Sequence, residues 1–405
     1  MTILTLNSGS SSLKAQLYDF PADQPPRPVA RAAVERIGAE NAGLSYIAPD
    51  GSRVADERAV GDHLAGVHWV LAQLAHPTHG AVASLADIEA VGHRVVHGGE
   101  EFSGSLPATP AVIDALEAHA HLAPLHNPPN LAGIRACAEA LPDARQVCIF
   151  DTGLHHSLDP EVYLYVLPYE LYTQHKVRRY GFHGIAMRSL AEQAELVLGR
   201  PREELRLVNL MLGSGTTANA LAYGRSVAIS TGLTPLEGLI QSTRCGDLDP
   251  GIVLYLLRRG YTPAQLAQLF NRRSGLLGIS GLSLDVRDLK ENDGPAARLA
   301  LDLLAYSVSR YVGAYAADMA GLDVLTLGGG IAQHNPDLRA AVCTPLRHLG
   351  VELDAATNDQ ADPRVSQLIS TPESRVAVVL AAVDEELVMA RDTRDVVRAQ
   401  AEATS

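Results

Sequence analysis

The apolar residues at the start of the chain fall into two short runs, Thr2-Ile-Leu-Thr-Leu6 and Ala15-Gln-Leu-Tyr-Asp-Phe20, each of strand length. Residues 7–14 between them are mostly small and polar, so the pattern predicts strand, tight loop, strand. The middle of the chain repeats it. Residues 205–212 read as a strand, 213–217 as a loop and 218–223 as the next strand. Setting Gly9-Ser-Ser against Gly215-Thr-Thr superimposes the two copies, which predicts a duplicated α/β fold with a cleft between its halves. A third glycine turn, 328–330, follows a strand at 323–327, and a helix is expected to begin near Pro336. Helical periodicity marks 111–121, 186–198, 263–272 and 296–320. Residues 376–401 are apolar-periodic and then charged, which predicts a terminal helix. The polar, proline-containing stretches 21–28 and 354–364 read as loops.

Composition narrows the class. At 405 residues the chain is long for one hydrophobic core, so two domains are expected. Hydrophobic residues are 47% and charged residues 20%, as in ordinary soluble proteins. No run reaches the ~18 apolar residues of a membrane span. No basic stretch precedes an apolar one at the N-terminus, so a cytoplasmic location is expected. The net charge of −13 argues against a nucleic-acid binder, which needs a basic face; a small anionic substrate has to be held by local arginines. Cys137, Cys148, Cys245 and Cys343 form no C-x-x-C pair, which suggests neither a zinc site nor a disulfide framework. No Walker A, H-E-x-x-H or G-x-S-x-G sequence is present, which weighs against P-loop, zincin and α/β-hydrolase readings.

Several segments carry candidate chemistry, each with a plainer alternative. The loop at Asn7, Ser8, Gly9, Ser10, Ser11, Ser12 and Lys14 brings N–H groups and hydroxyls together, as an anion site does, but the same residues make hairpin turns. Gly92-His-Arg-Val-Val-His-Gly-Gly99 places Arg94 near a strand end, fit to clamp a carboxylate or phosphate; the alternative is a surface Arg beside two core histidines. Asp151 ends an apolar strand, where it either holds a cation or caps a helix. His183, between Phe182 and Gly184, is a donor to an anionic transition state or a core histidine. Arg244 shares a tight loop with Asp247 and Asp249, an arrangement that also suits a salt-bridged turn. Together, three glycine loops, two loop arginines, a strand-end Asp and a flanked His suit phosphoryl transfer.

In one consistent order, these segments resemble the acetokinase family, the acetate, propionate and butyrate kinases of the sugar kinase, heat-shock ATPase and actin superfamily. The resemblance extends through 7–14, 93–99, 123–129, 150–152, 178–184, 234–238, 243–251, 277–283, 329–331 and 385–387. It implies a duplicated actin-like (ribonuclease H-like) α/β fold with an interdomain cleft and two domains, 1–152 with 385–405 and 153–384, the second carrying the nucleotide site. It implies a cytoplasmic homodimer that transfers a phosphoryl group reversibly from ATP to acetate with Mg2+ or Mn2+, giving acetyl phosphate and ADP, with no nucleic-acid or membrane partner. Carried over, the roles are these. Arg94 and Arg244 bind the carboxylate and the transferred phosphoryl group, His183 stabilises that group in flight, and Asp151 positions the reactants. Asn7 and Glu385 place the metal, and Ser10, Ser12 and Lys14 line the first phosphate loop. Val96, Leu125, Phe182 and Pro235 surround the acyl methyl group. Gly213, Ser214, Gly215, Asp285, Val286, Arg287, Gly329, Gly330 and Ile331 face the nucleotide.

The chain departs from the family pattern on the nucleotide side. H-L-G-N-G is replaced by Met211-Leu-Gly-Ser-Gly215, G-E-N by Ala332-Gln-His334, T-S-H by Ile185-Ala-Met187, and an Asn by Asp384. Lowered activity, another phosphoryl donor such as pyrophosphate, and compensation by a neighbour such as His334 are the alternatives. A propionate kinase and a weakly catalytic sensor of acyl phosphate or nucleotide are the alternative functions.

Overall fold

A computed structural model describes residues 1–22, 24–124 and 126–404. The chain folds into two compact units, Met1–Gly153 with Asp384–Ser405, and Leu154–Val383.

The first unit holds one eight-stranded sheet of β1 (Thr2–Ser8), β2 (Ser12–Asp19), β3 (Arg27–Glu35), β4 (Ala42–Ile47), β5 (Arg53–Arg58), β6 (Ala90–Val95), β7 (Leu106–Pro107) and β8 (Arg145–Phe150). Its order is β5-β4-β3-β2-β1-β6-β8-β7. The first five strands form an antiparallel meander, and β6 and β8 continue from β1 in parallel. Central β1 is buried from Ile3 to Leu6 because both its faces are covered, which is why it reads as an apolar run and not an alternation. The outer edge, β5, carries Arg53, Asp56, Glu57 and Arg58, charges that oppose pairing with another chain. On one face, Val67, Val70, Leu71 and Leu74 of helix His63–Leu74 and Cys137 of helix Asn127–Ala140 pack with Leu4, Leu6 and Leu13. On the other lies the terminal helix, Glu385–Thr404, whose Ala390 packs with Ile3, Tyr18 and Phe20.

The second unit has six strands, β9 (Arg206–Leu212), β10 (Thr216–Ala222), β11 (Arg225–Ile229), β12 (Val324–Gly328), β13 (Gln367–Leu368) and β14 (Ala377–Leu380), in the order β11-β10-β9-β12-β14-β13. Strands β11-β10-β9 are antiparallel and β12 and β14 follow in parallel. That repeats β3-β2-β1-β6-β8, so the duplication signalled by the glycine loops is present in the strand topology. Leu304, Val308 and Val312 of helix Pro295–Asp318 cover one face. Ala191 and Ala194 of helix Gly184–Leu198 pack on Leu207, Leu221 and Val324 of the other. No described helix is long and apolar enough to cross a membrane.

Three expectations change. The apolar start of 376–401 is strand β14, and the helix begins only at Glu385; a short apolar run at a buried strand has no helical period to separate it. Within 354–364 a helix forms at Ala355–Gln360, its first turn capped by Asp354, which accepts from the Thr357 N–H at 2.7 Å. Strand β3 already begins at Arg27, inside the stretch read as a loop.

The terminal helix approaches β6 closely at Gly92. A Cβ there would lie 2.1 Å from Thr393 Oγ1 and 3.4 Å from the Met389 carbonyl. We expect Gly92→Val to push the helix off the sheet and to lower stability to urea by roughly 3 kcal/mol.

Candidate active site

In the first unit the candidate residues collect at the ends of β1, β6 and β8. Asn7 and Lys14 are register partners on β1 and β2, and the turn between them is closed by the Gly9 N–H donating to the Ser12 carbonyl at 2.8 Å. Ser10 and Lys14 are exposed. From beneath, His63 Nε2 donates to the Gly9 carbonyl at 2.7 Å. Asn130 ties this loop to the end of β6: its Nδ2 donates to the Ser8 carbonyl at 2.7 Å, and its Oδ1 accepts from the Val96 N–H at 3.0 Å. One helical turn earlier, Asn127 exchanges hydrogen bonds with both backbone groups of His97. Sequence reading included Asn127 in a motif and missed Asn130, although their i, i+3 spacing on one helix face was available as a signal.

The Arg94 guanidinium places Nε 3.0 Å and Nη2 2.6 Å from Asp151 Oδ2, with Nη1 4.0 Å from Glu385 Oε2. Burial works against the Arg94 charge, but Asp151 and Glu385 outweigh it and hold its pKa above the ordinary value. Burial likewise raises the pKa of Glu385, against the pull of Arg94 and Lys14. Asp151 Oδ1 and Glu385 Oε2 are buried and accept no hydrogen bond. His93 is a core histidine, as its plainer reading had it: burial pushes its pKa down to about 4 and the neutral ring donates to Gln146 at 2.7 Å. Val96 is buried at the end of this cluster, while Leu125 lies outside the described residues.

In the second unit, His183 stands immediately before helix Gly184–Leu198 with φ +61°, a left-handed conformation that costs a non-glycine residue roughly 1 kcal/mol or more. Its Nδ1 lies 2.8 Å from Thr217 Oγ1, and its Cε1 is 3.2 Å from where a Gly215 Cβ would stand. The absent side chain at Gly215 is what admits the imidazole. Phe182 is buried, its N–H donating to Thr231 Oγ1 at 2.9 Å.

Arg244 differs from Arg94. Among the described residues no carboxylate pairs with it, and burial together with Arg272 lowers its pKa. The salt-bridged turn does not form: Asp247 accepts from the Gly238 N–H and from Tyr311, and Asp249 caps the helix Pro250–Arg258. A half-buried cation left uncompensated is suited to an anion. The two arginines of the 178–184 segment are engaged otherwise: Arg179 is paired with Glu237 at 2.6 Å and Arg178 lies over the Tyr163 ring at 3.8 Å.

Beside the second loop is a cavity of about 580 Å³ lined by Gly213, Ser214, Ser242, Leu284, Asp285, Val286, Arg287, Gly330, Ile331, His334 and Asn335. Seven of these were expected on the nucleotide side and His334 was named there as a compensating neighbour; Leu284, Ser242 and Asn335 were not, because none lies in a segment with a local signature. Gly329, at φ +83°, has no room for a Cβ, which would lie 2.6 Å from the Leu212 carbonyl. A short helix, Gly330–His334, starts at once, earlier than the helix expected near Pro336, which is a separate one at Pro336–Cys343. Asp285 and Arg287 are paired at 2.6 Å, and these hydrogen bonds hold the Asp285 pKa down to about 2.

Among the described residues no three His, Cys, Asp or Glu side chains form a metal cage. The two unpartnered carboxylate oxygens of Asp151 and Glu385 instead suit a hard divalent cation that keeps waters and takes phosphate oxygens as its other ligands.

A model of the acetokinase family matches residues 2–391. The acetate kinase of Coprothermobacter proteolyticus is 42% identical over 403 residues, covering 98% of this chain and 99% of that one. That of Desulfitobacterium hafniense (strain DSM 10664 / DCB-2) is 40% identical over 402 residues, covering 98% and 100%. Among solved structures, Porphyromonas gingivalis acetate kinase matches with a TM-score of 0.92 at 38% identity, covering 98% of this chain and 99% of that one. A propionate kinase from Francisella tularensis matches with a TM-score of 0.89 at 31% identity, covering 97% and 99%.

The Arg244 turn rests on Gly275, at φ +62°, where a Cβ would lie 2.1 Å from the Gln241 carbonyl and 2.8 Å from that of Arg244. Gly275→Ala is expected to displace the turn and to cost about 2–3 kcal/mol of stability, read from chemical denaturation.

Proposed function

The chain belongs to the acetokinase family, phosphotransferases with a carboxyl group as acceptor, and from that premise we propose that it is an acetate kinase using ATP and Mg2+ (or Mn2+). The observation that carries the reading is the cluster of Arg94, Asp151 and Glu385, in which a fixed guanidinium stands beside two carboxylate oxygens without partners.

The reaction needs positioning and charge neutralisation, not a covalent intermediate on the protein. Arg94 commits Nε and Nη2 to Asp151, which leaves Nη1, 4.0 Å from Glu385 and without a hydrogen bond among the described residues, to orient a substrate carboxylate. Arg244 lacks a carboxylate of its own, so its charge is available to a phosphoryl group. His183, held at Nδ1 by Thr217 with its ring against Gly215, is assigned to stabilise the same group. Asn7 and Glu385 would hold the cation, with Asp151 beside it; when bound, that cation neutralises charge on the phosphates. Val96, Phe182 and Pro235 supply apolar surface for a short acyl chain, and one methylene changes affinity by only about 1–3 kcal/mol, so propionate is an expected second substrate. The apolar Leu284, Val286 and Ile331 in the cavity favour a nucleoside-bearing donor over bare pyrophosphate. The nucleotide site is assigned to residues 154–383, and the resemblance supports a cytoplasmic homodimer.

With acetate, ATP and Mg2+, acetyl phosphate trapped by hydroxylamine should accumulate at a rate far above that with pyrophosphate; no product with either donor overturns the proposal. Arg94→Ala and Arg244→Ala should each lower turnover at least about 100-fold. Independently of turnover, Mg2+ added with ADP should raise the Tm of the wild type, and Glu385→Gln should lose most of that shift while keeping the shift from ADP alone.

A further inference from the structure

Gln241 is 2% exposed and lies three residues before Arg244. Its side-chain amide is engaged in two directions. Nε2 donates to the Pro235 carbonyl at 2.7 Å, and Oε1 accepts from Arg244 Nη1 at 3.2 Å. A carbonyl only accepts and a guanidinium only donates, so these partners determine which end of the amide is which. Leucine at this place makes neither bond, and an ionised glutamate makes only the second.

The bond from Oε1 is the one hydrogen bond that the Arg244 guanidinium makes among the described residues. With no carboxylate to orient it, the arginine takes its direction from this amide. The main chain of Gln241 is held as well: its N–H donates to the Arg244 carbonyl at 3.3 Å, and its carbonyl accepts from the Leu276 N–H at 3.0 Å. A Cβ at Gly215 would stand 3.7 Å from Oε1, so the amide also lies against the second glycine loop.

Resting on the acetate-kinase reading, we propose that Gln241 is a positioning residue that couples the wall of the acyl pocket to the anion-binding arginine: one amide sets both where Pro235 stands and which way the Arg244 guanidinium faces. Discrimination by acid length and orientation of the phosphoryl group then depend on the same side chain.

The test compares wild type, Gln241→Leu and Gln241→Glu by steady-state kinetics with acetate and propionate, by Tm, and by calorimetric binding of inorganic phosphate. Gln241→Leu should lower kcat about tenfold, raise the acetate KM about fivefold, leave the ATP KM within about twofold and shift the propionate-to-acetate ratio of kcat/KM at least about threefold. Gln241→Glu keeps a bond to Arg244 but cancels its charge and repels the Pro235 carbonyl, so phosphate affinity should fall about tenfold or more. Unchanged acetate kinetics and acid preference in Gln241→Leu, at wild-type Tm, overturn the proposal. So does a parallel rise of both KM values with a lowered Tm, which marks a general packing role. If the wild type makes no acetyl phosphate, the acetate-kinase reading fails. The phosphate titration then decides the Gln241–Arg244 link alone: a weaker fit in Gln241→Glu supports it, and equal affinity rejects it.

Discussion

The buried ion pair of Arg94 and Asp151 is the constraint on which the first unit's chemistry depends. The Asp151 side chain is 2% exposed and that of Arg94 18%. Removing one partner of such a pair strands a charge at a cost of about 3–5 kcal/mol, so the pair persists only if the backbone delivers both groups accurately. The parallel register of β6 and β8 does this, ending with the Asp151 N–H donating to the Val95 carbonyl at 3.0 Å. Asn130 then fastens β1 to β6, so the Asn7 loop and Arg94 share one rigid frame. Glu385 is the last dependent. Its carboxylate is buried beside Arg94, whose charge opposes the burial that raises its pKa.

Two arginines stand in two different electrostatic environments. Arg94 is neutralised by carboxylates and therefore rigid, which suits it to orient a substrate group and not to attract one. Arg244 has only a neutral amide and a neighbouring arginine, so its charge is uncompensated and suited to an anion.

How much of this was legible in the sequence follows from how far each interaction reaches. Arg94, Asp151, His183 and Arg244 could be singled out because each stands where an apolar run gives way to glycines or small residues, a local pattern. The duplicated topology was legible for the same reason, through the repeated strand, loop and strand. Asn130 and Gln241 were not singled out. Asn130 reaches back 122 residues to Ser8, and the Gln241 amide matters only through the loop geometry that places Pro235 and Arg244 on either side of it. The helix Gly330–His334 is five residues long, too short for periodicity to register. Strand β14 was merged with the following helix because its apolar run fits either period.

The departures from the family pattern around the second loop are better described as repacking than as decay. Met211, where the pattern has His, packs against the apolar cluster of Met187, which stands in place of a second His, Leu190 and Ala381. Loss of one polar partner alone would leave the other buried and unpaired, a penalty of about 1–3 kcal/mol. Here both positions carry a flexible apolar side chain suited to filling an irregular gap, and both lie in one apolar cluster. His183, the histidine nearest the glycines, keeps its Thr217 partner. Ser214 still lines the cavity, and a glycine loop offers its backbone N–H groups whatever the side chains are. What the second loop has lost in side-chain donors therefore leaves intact the groups to which the proposed function assigns the transfer: the backbone of residues 213–215, the His183 ring packed over Gly215, and the uncompensated charge of Arg244.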